Sequence, residues 1–154
     1  MKPNSPLETL IDQSRKSRDL AGRTLAADRQ GQQQAAEQLD ALQQYKHEYC
    51  TKLHDSLARG VDAITLDNYR RFIRSLDHAI GQAGAQLQEQ SSKVTASKEH
   101  WHDKQKRLSS LDTLANRQAA REREREGRIE QRLNDELTNN MQARKRAECI
   151  GSDR

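Results

Sequence analysis

His47, Cys50 and His54 recur at i, i+3 and i+7, so a helix would carry all three on one face. Imidazole nitrogens and a thiolate are zinc ligands, so three of them on one face could in principle bind zinc. The neighbourhood offers no fourth ligand, so a solvated helix face is the simpler reading of these residues. His100 and His102 flank Trp101 and point away from each other on a helix, so they form no site. Lys104-Gln105-Lys106-Arg107 and the basic tail Arg144-Lys145-Arg146 could touch phosphate. They lack interleaved aromatics, acids intervene throughout, and no nucleic-acid fold signature accompanies them. There is no glycine-rich phosphate loop, no nucleophile beside a base and no carboxylate pair set in a pocket. The expectation is a chain that is not an enzyme, takes no metal, cofactor or small-molecule substrate, and works through its surfaces.

Composition narrows what those surfaces are built on. Of 154 residues, 32% are charged and 32% hydrophobic, with one Trp, three Tyr and one Phe. Such a chain cannot fill a two-layer core, but it can bury a narrow seam. The net charge of +4 permits an acidic protein, a lipid surface or nucleic acid as partner and requires none of them. No run of about 18 apolar residues and no charged-then-apolar leader is present, so neither a membrane span nor secretion is expected. Cys50 and Cys149 have no framework spacing, which suits a reducing cytosol.

The seam is legible as a heptad. Leu66, Ile73, Ile80, Leu87, Val94, Trp101, Leu108 and Ala115 recur every seventh residue, interleaved with Tyr69, Leu76, Ala83, Gln90, Ser97, Lys104 and Leu111. Twelve of these fifteen positions are apolar, the period of a coiled-coil seam that needs a partner along its length. The partner lies upstream in the chain. Leu7, Ile11, Ser14, Arg18, Ala21, Leu25, Asp28, Gln32, Ala35, Leu39, Leu42, Lys46, Tyr49 and Leu53 continue the same 4,3 spacing, with weak points at Ser14–Arg18 and Asp28–Gln32. Gln90, Ser97 and Lys104 interrupt the second helix opposite that soft centre, so those places should breathe.

The punctuation sets the ends. Ser5-Pro6-Leu7-Glu8 offers a Ser N-cap, a Pro at the first helical position and a Glu reaching back to the cap. Gly60 can end the first helix in the left-handed conformation, and Asp62 or Thr65 can cap the second, with Asp67 then in its first turn. The expected fold is all-α: an antiparallel two-helix coiled-coil hairpin over residues 1–118, with helices at about 6–57 and 66–118 and a bend at 59–65. Leu7 should lie near Ala115 or Arg117. An overhanging C-terminal helical extension and tail takes residues 119–154. There the heptad fails at Glu122 and Arg125, and Arg121 to Glu126 alternate in charge as a solvated helix does. Ile129, Leu133, Leu137 and Met141 form one thin apolar stripe, Arg144-Lys145-Arg146 would sit in the last turn, and Gly151 would stop the helix.

One surface stands out. Gln38, Leu42, Tyr45 and Tyr49 alternate between positions g and d of the first helix, and Phe72, Leu76, Ala79 and Ala83 do so in the second. In an antiparallel pair both g edges lie on the same side, so Tyr45, Phe72 and Ala79 should form one exposed, partly aromatic patch near the bend. Clustered exposed aromatics mark binding surfaces.

The chain resembles FliJ, the small coiled-coil family of the bacterial flagellar type III export apparatus. The resemblance is densest in Gln38-Leu39 through Leu53 with Tyr45, Glu48 and Tyr49, in Asn68-Tyr69-Arg70-Arg71-Phe72-Ile73, in Leu76 to Ile80, and in Trp101 through Gln118. It implies a stalk similar to the central shaft subunit of rotary ATPases. Such a stalk binds the hexameric export ATPase FliI, contacts the export-gate membrane protein FlhA and hands on export chaperones. The resemblance places the gate contact on Gln38, Leu42, Tyr45, Tyr49, Phe72, Leu76 and Ala79, and the approach to the ATPase ring on about residues 6–20 and 105–140. It implies a cytoplasmic protein peripherally associated with the inner membrane at the flagellar base, in the service of flagellum assembly, motility and chemotaxis. From the residues alone, two other readings stand: a generic scaffold or homodimer whose seam pairs between chains, and a basic nucleic-acid-binding rod. A monomeric hairpin without nucleic acid is the expectation.

Overall fold

The computed structural model describes residues 5–151. It contains two helices, α1 (Pro6–Arg59) and α2 (Ala63–Gly151), joined by Gly60-Val61-Asp62. They pack against one another as an antiparallel helical hairpin, the all-α architecture that the heptads predict. Asp12–Leu108 form one compact unit, and the chain up to Ile11 forms another with the chain from Ser109.

The helix ends follow from their caps. The Ser5 amide donates to Glu8 Oε2 at 3.1 Å and the Thr9 amide to the Ser5 carbonyl at 3.1 Å, so the reach-back half of a capping box opens α1 at Pro6. At the other end α1 continues two residues past the expected Leu57, until Gly60 takes φ +88° and its amide donates to the Leu57 carbonyl. The Leu66 amide donates to the Asp62 carbonyl at 3.1 Å, which makes Asp62 the N-cap of α2. The bend is therefore three residues rather than seven, and α2 starts three residues earlier than expected. Asp67 consequently falls outside the first turn and pairs with Arg71 at 3.0 Å instead.

Within Asp12–Leu108, every heptad position read from the sequence is buried or half-buried, from Ser14 to Leu53 in α1 and from Leu66 to Leu108 in α2. Ala21, Leu25, Ala35, Leu76, Ala83 and Leu108 are the most enclosed apolar members. Among the described residues no side chain falls below 2% exposure, so each apolar residue contributes less than the roughly 1.5–3 kcal/mol of complete burial.

Three of the polar seam residues of α1 meet polar side chains of α2 at or beside its seam. The Ser97 hydroxyl donates to Asp28, Gln32 Nε2 donates to Ser91 Oγ at 3.0 Å, and the Arg18 guanidinium donates to Gln105 Oε1 at 3.4 Å. No buried side-chain nitrogen or oxygen among the described residues lacks a partner. Each such bond contributes about 1 kcal/mol net, but leaving either partner unmet costs more, so these layers favour one register over its neighbours. The Trp101 indole crosses α1 over Gly22, where a Cβ would stand 3.4 Å from Trp101 Nε1, at contact distance without overlap.

In the other unit, Ser5, Leu7, Glu8 and Ile11 share a groove with Ala115, Gln118, Ala119 and Glu122, placing Leu7 beside Ala115 as expected. From Ala120 to Ile150 every residue is exposed, while α2 stays helical to Gly151. Its surface is tied locally, as by Arg128 to Glu124 at 2.5 Å. No proline or glycine interrupts the helix between Gly127 and Gly151, so Arg144-Lys145-Arg146 lie ahead of the last turn rather than in it.

Candidate partner-binding surface near the bend

Tyr49 is the hub of the g/d patch. Its ring centroid lies 4.3 Å from Phe72 at 41°, 5.9 Å from Tyr45 at 21° and 6.4 Å from Tyr69 at 60°. Offset and tilted contacts of this kind suit the ring quadrupole and add about 0.5–1.5 kcal/mol per pair beyond area burial. Lys52 Nζ sits 5.3 Å from the Tyr49 centroid, a cation–π contact. The heptad delivers this geometry directly. Tyr49 is a d residue held at the seam, whereas Tyr45 and Phe72 are g residues that lean over its rim.

Exposure divides the seven predicted patch residues into a floor and a surface. Leu42, Tyr49 and Ala79 are half-buried, and Leu76 is only 8% exposed, so these four form the floor. Tyr45 remains 54% exposed and Phe72 38%, with Gln38 exposed beside them. Exposed aromatic rings clustered over a half-buried floor are the kind of residue that a protein interface uses as anchors. Of the other predicted seam residues, Leu39, Leu53, Leu66, Tyr69, Ile73, Ile80, Leu87, Val94, Trp101 and Leu111 are half-buried, and Leu108 is buried.

The opposite edge of the same segment is closed by charge. Lys46 Nζ lies 2.5 Å from Asp77, and the hydrogen bond to Asp77, then its negative charge, holds the lysine pKa above its ordinary value. His47 and Cys50 lie along that edge in a shallow groove with Gln43, Lys46, Asp77 and Ile80. Among the described residues no three His, Cys, Asp or Glu side chains converge to hold a metal ion. Sequence reasoning missed Lys52 as part of the aromatic cluster. Its g position, one heptad beyond Tyr45, is the signal that would have found it.

No described helix is long and apolar enough to cross a membrane. A family model described as "Flagellar FliJ protein" matches residues 2–147. The flagellar FliJ protein of Salmonella typhi is 37% identical over 145 residues, which is 94% of this chain and 99% of that protein. The flagellar FliJ protein of Escherichia coli (strain K12) is 34% identical over the same shares of the two chains. With a helical hairpin in place and the match running almost end to end, this chain belongs to the flagellar FliJ protein family.

Proposed function

We propose that the chain is a non-enzymatic component of the flagellar type III protein export apparatus, acting as a stalk. In this reading it binds the hexameric export ATPase FliI, promotes its assembly and hydrolysis, and links it to the export gate FlhA and to export chaperones. Family membership supports the flagellar role. The exposed pair Tyr45 and Phe72, seated on Tyr49, is the observation that carries the gate contact.

The gate surface comprises Gln38, Leu42, Tyr45, Tyr49, Phe72, Leu76 and Ala79, with Leu76 acting from below by holding the seam. The helix ends, about residues 6–20 and 105–140, are the parts that approach the ATPase ring in this reading. A ligand stabilises whichever state it binds better, so a stalk that prefers the assembled ring raises the population of the hydrolysing form without doing chemistry itself. The protein acts at the cytoplasmic face of the inner membrane, held there by its protein partners.

The test is a titration of the FlhA cytoplasmic domain with wild type, Tyr45→Ala, Phe72→Ala and the double variant. Each single substitution should weaken binding by about 5–30-fold, the range of an interface anchor, with far-UV circular dichroism unchanged. Unchanged affinity in the double variant removes the patch assignment.

A further inference from the structure

The extension of α2 carries a second, differently built surface. Arg121, Arg125, Arg128 and Arg132 recur at spacing 4, 3, 4 and line one shallow groove with Ile129 and Glu124. Four arginines thus stand along about 16 Å of helix with one carboxylate among them, and Glu124 already binds Arg128. Leu114, 53% exposed, shares the adjoining groove with Arg117, Gln118 and Arg121, so the face is continuous toward the hairpin.

Beside the arginine row runs the apolar row Ile129, Leu133 and Leu137, each between 49% and 62% exposed. The local sequence alternates in sign, but the helical repeat gathers these four arginines on one edge of the apolar row, while the other flank is mixed, with Arg123 beside the exposed Glu126 and Glu130.

We propose that this face docks an amphipathic helix of a partner protein whose carboxylates line one edge and meet Arg121, Arg125, Arg128 and Arg132. The 4, 3, 4 spacing is that of a helix lying alongside another helix, and the apolar row supplies the contact beside the arginine edge. Glu122, Glu126 and Glu130, interspersed along this stretch, disfavour a uniformly anionic lipid surface or a nucleic acid as the occupant. A second copy laid antiparallel would set arginine row against arginine row, since antiparallel helices bring like edges together. Arginine suits the role, because its planar fork engages carboxylates two bonds at a time. The face lies within the stretch of about residues 105–140 read above as approaching the ATPase ring, so the inference rests on that reading and adds the partner's chemistry, which synthetic helices test separately from FliI itself.

The probes are two synthetic amphipathic helices with a leucine row, one edged with Glu and the other with Gln at the same positions. They are titrated at low salt into the full chain and into a variant carrying Arg121→Gln, Arg125→Gln, Arg128→Gln and Arg132→Gln. The Glu-edged helix should bind about tenfold tighter than the Gln-edged one, with the difference abolished in the variant and reduced by salt. Far-UV circular dichroism on the variant checks that the helix persists. Equal binding of the two probes, no binding of either, or a preference that survives in the variant overturns the proposal. So does capture of anionic phosphatidylserine vesicles or duplex DNA through the same four arginines. A dimer in sedimentation equilibrium that the variant loses assigns the face to a second copy and also overturns it.

Discussion

Removing the Asp28–Ser97 contact tests whether the polar layers are coupled parts of the seam or incidental surface. Ser97 donates to Asp28 across the two helices, and both residues are half-buried at heptad positions. Asp28→Ala deletes a charge-assisted bond of roughly 1.5–3 kcal/mol and leaves the hydroxyl unmet, while alanine returns about 0.5 kcal/mol of helix propensity. The net expectation is a loss of about 1–2 kcal/mol. Ser97→Ala leaves a carboxylate that still reaches water, so its expected loss is about 0.5–1 kcal/mol. In the double variant both partners are gone and the layer is apolar, so the loss should be no greater than that of Asp28→Ala alone. The coupling energy is then about 1 kcal/mol, read from urea denaturation followed at 222 nm by circular dichroism. Losses that simply add, to within about 0.3 kcal/mol, would refute the claim that these interruptions are matched across the seam.

Other substitutions probe the remaining devices. Gly22→Ala should stabilise by about 0.5–1 kcal/mol, because the new Cβ stands 3.4 Å from Trp101 Nε1 and the helix gains propensity; Gly22→Leu must displace the indole and should cost about 1–3 kcal/mol, with a shift in tryptophan fluorescence. Gly60→Ala should lower stability by about 1 kcal/mol in the same denaturation assay, since φ +88° at the bend disfavours a side chain. Tyr49→Ala should cost about 2–3 kcal/mol and Tyr45→Ala less than about 1, because Tyr49 touches three rings while Tyr45 touches one.

The heptad made the seam legible. A 3.5-residue period over this length is satisfied by one helical register, and positions as polar as Arg18, Gln90 and Lys104 could be assigned inward by spacing alone. The partner of each polar residue was not legible. Which of Ser91, Ser97 or Gln105 meets Asp28, Gln32 or Arg18 depends on the offset between helices, and a bend of uncertain length leaves that offset open. The bend itself was misjudged because Asp62 and Thr65 are both competent caps, and the earlier one adds a turn to α2. Position g identified Tyr45 and Phe72 as the open rings and position d placed Leu76 inward, but the spacing alone did not show that Ala79, also at g, would be half-buried. The length of α2 beyond Ala119 was expected from local charge pairing, and the helix runs through Gly127 to Gly151, the expected stop.

The stalk role is tested most directly by titrating this protein into the FliI ATPase of its own cell, with hydrolysis and hexamer formation measured on the same samples. Both should rise together, and truncation after Gln118 should change the response, because residues 105–140 form part of the proposed ring contact. If neither hydrolysis nor hexamer formation moves with the full chain at saturating concentration, the stalk account of this hairpin is wrong.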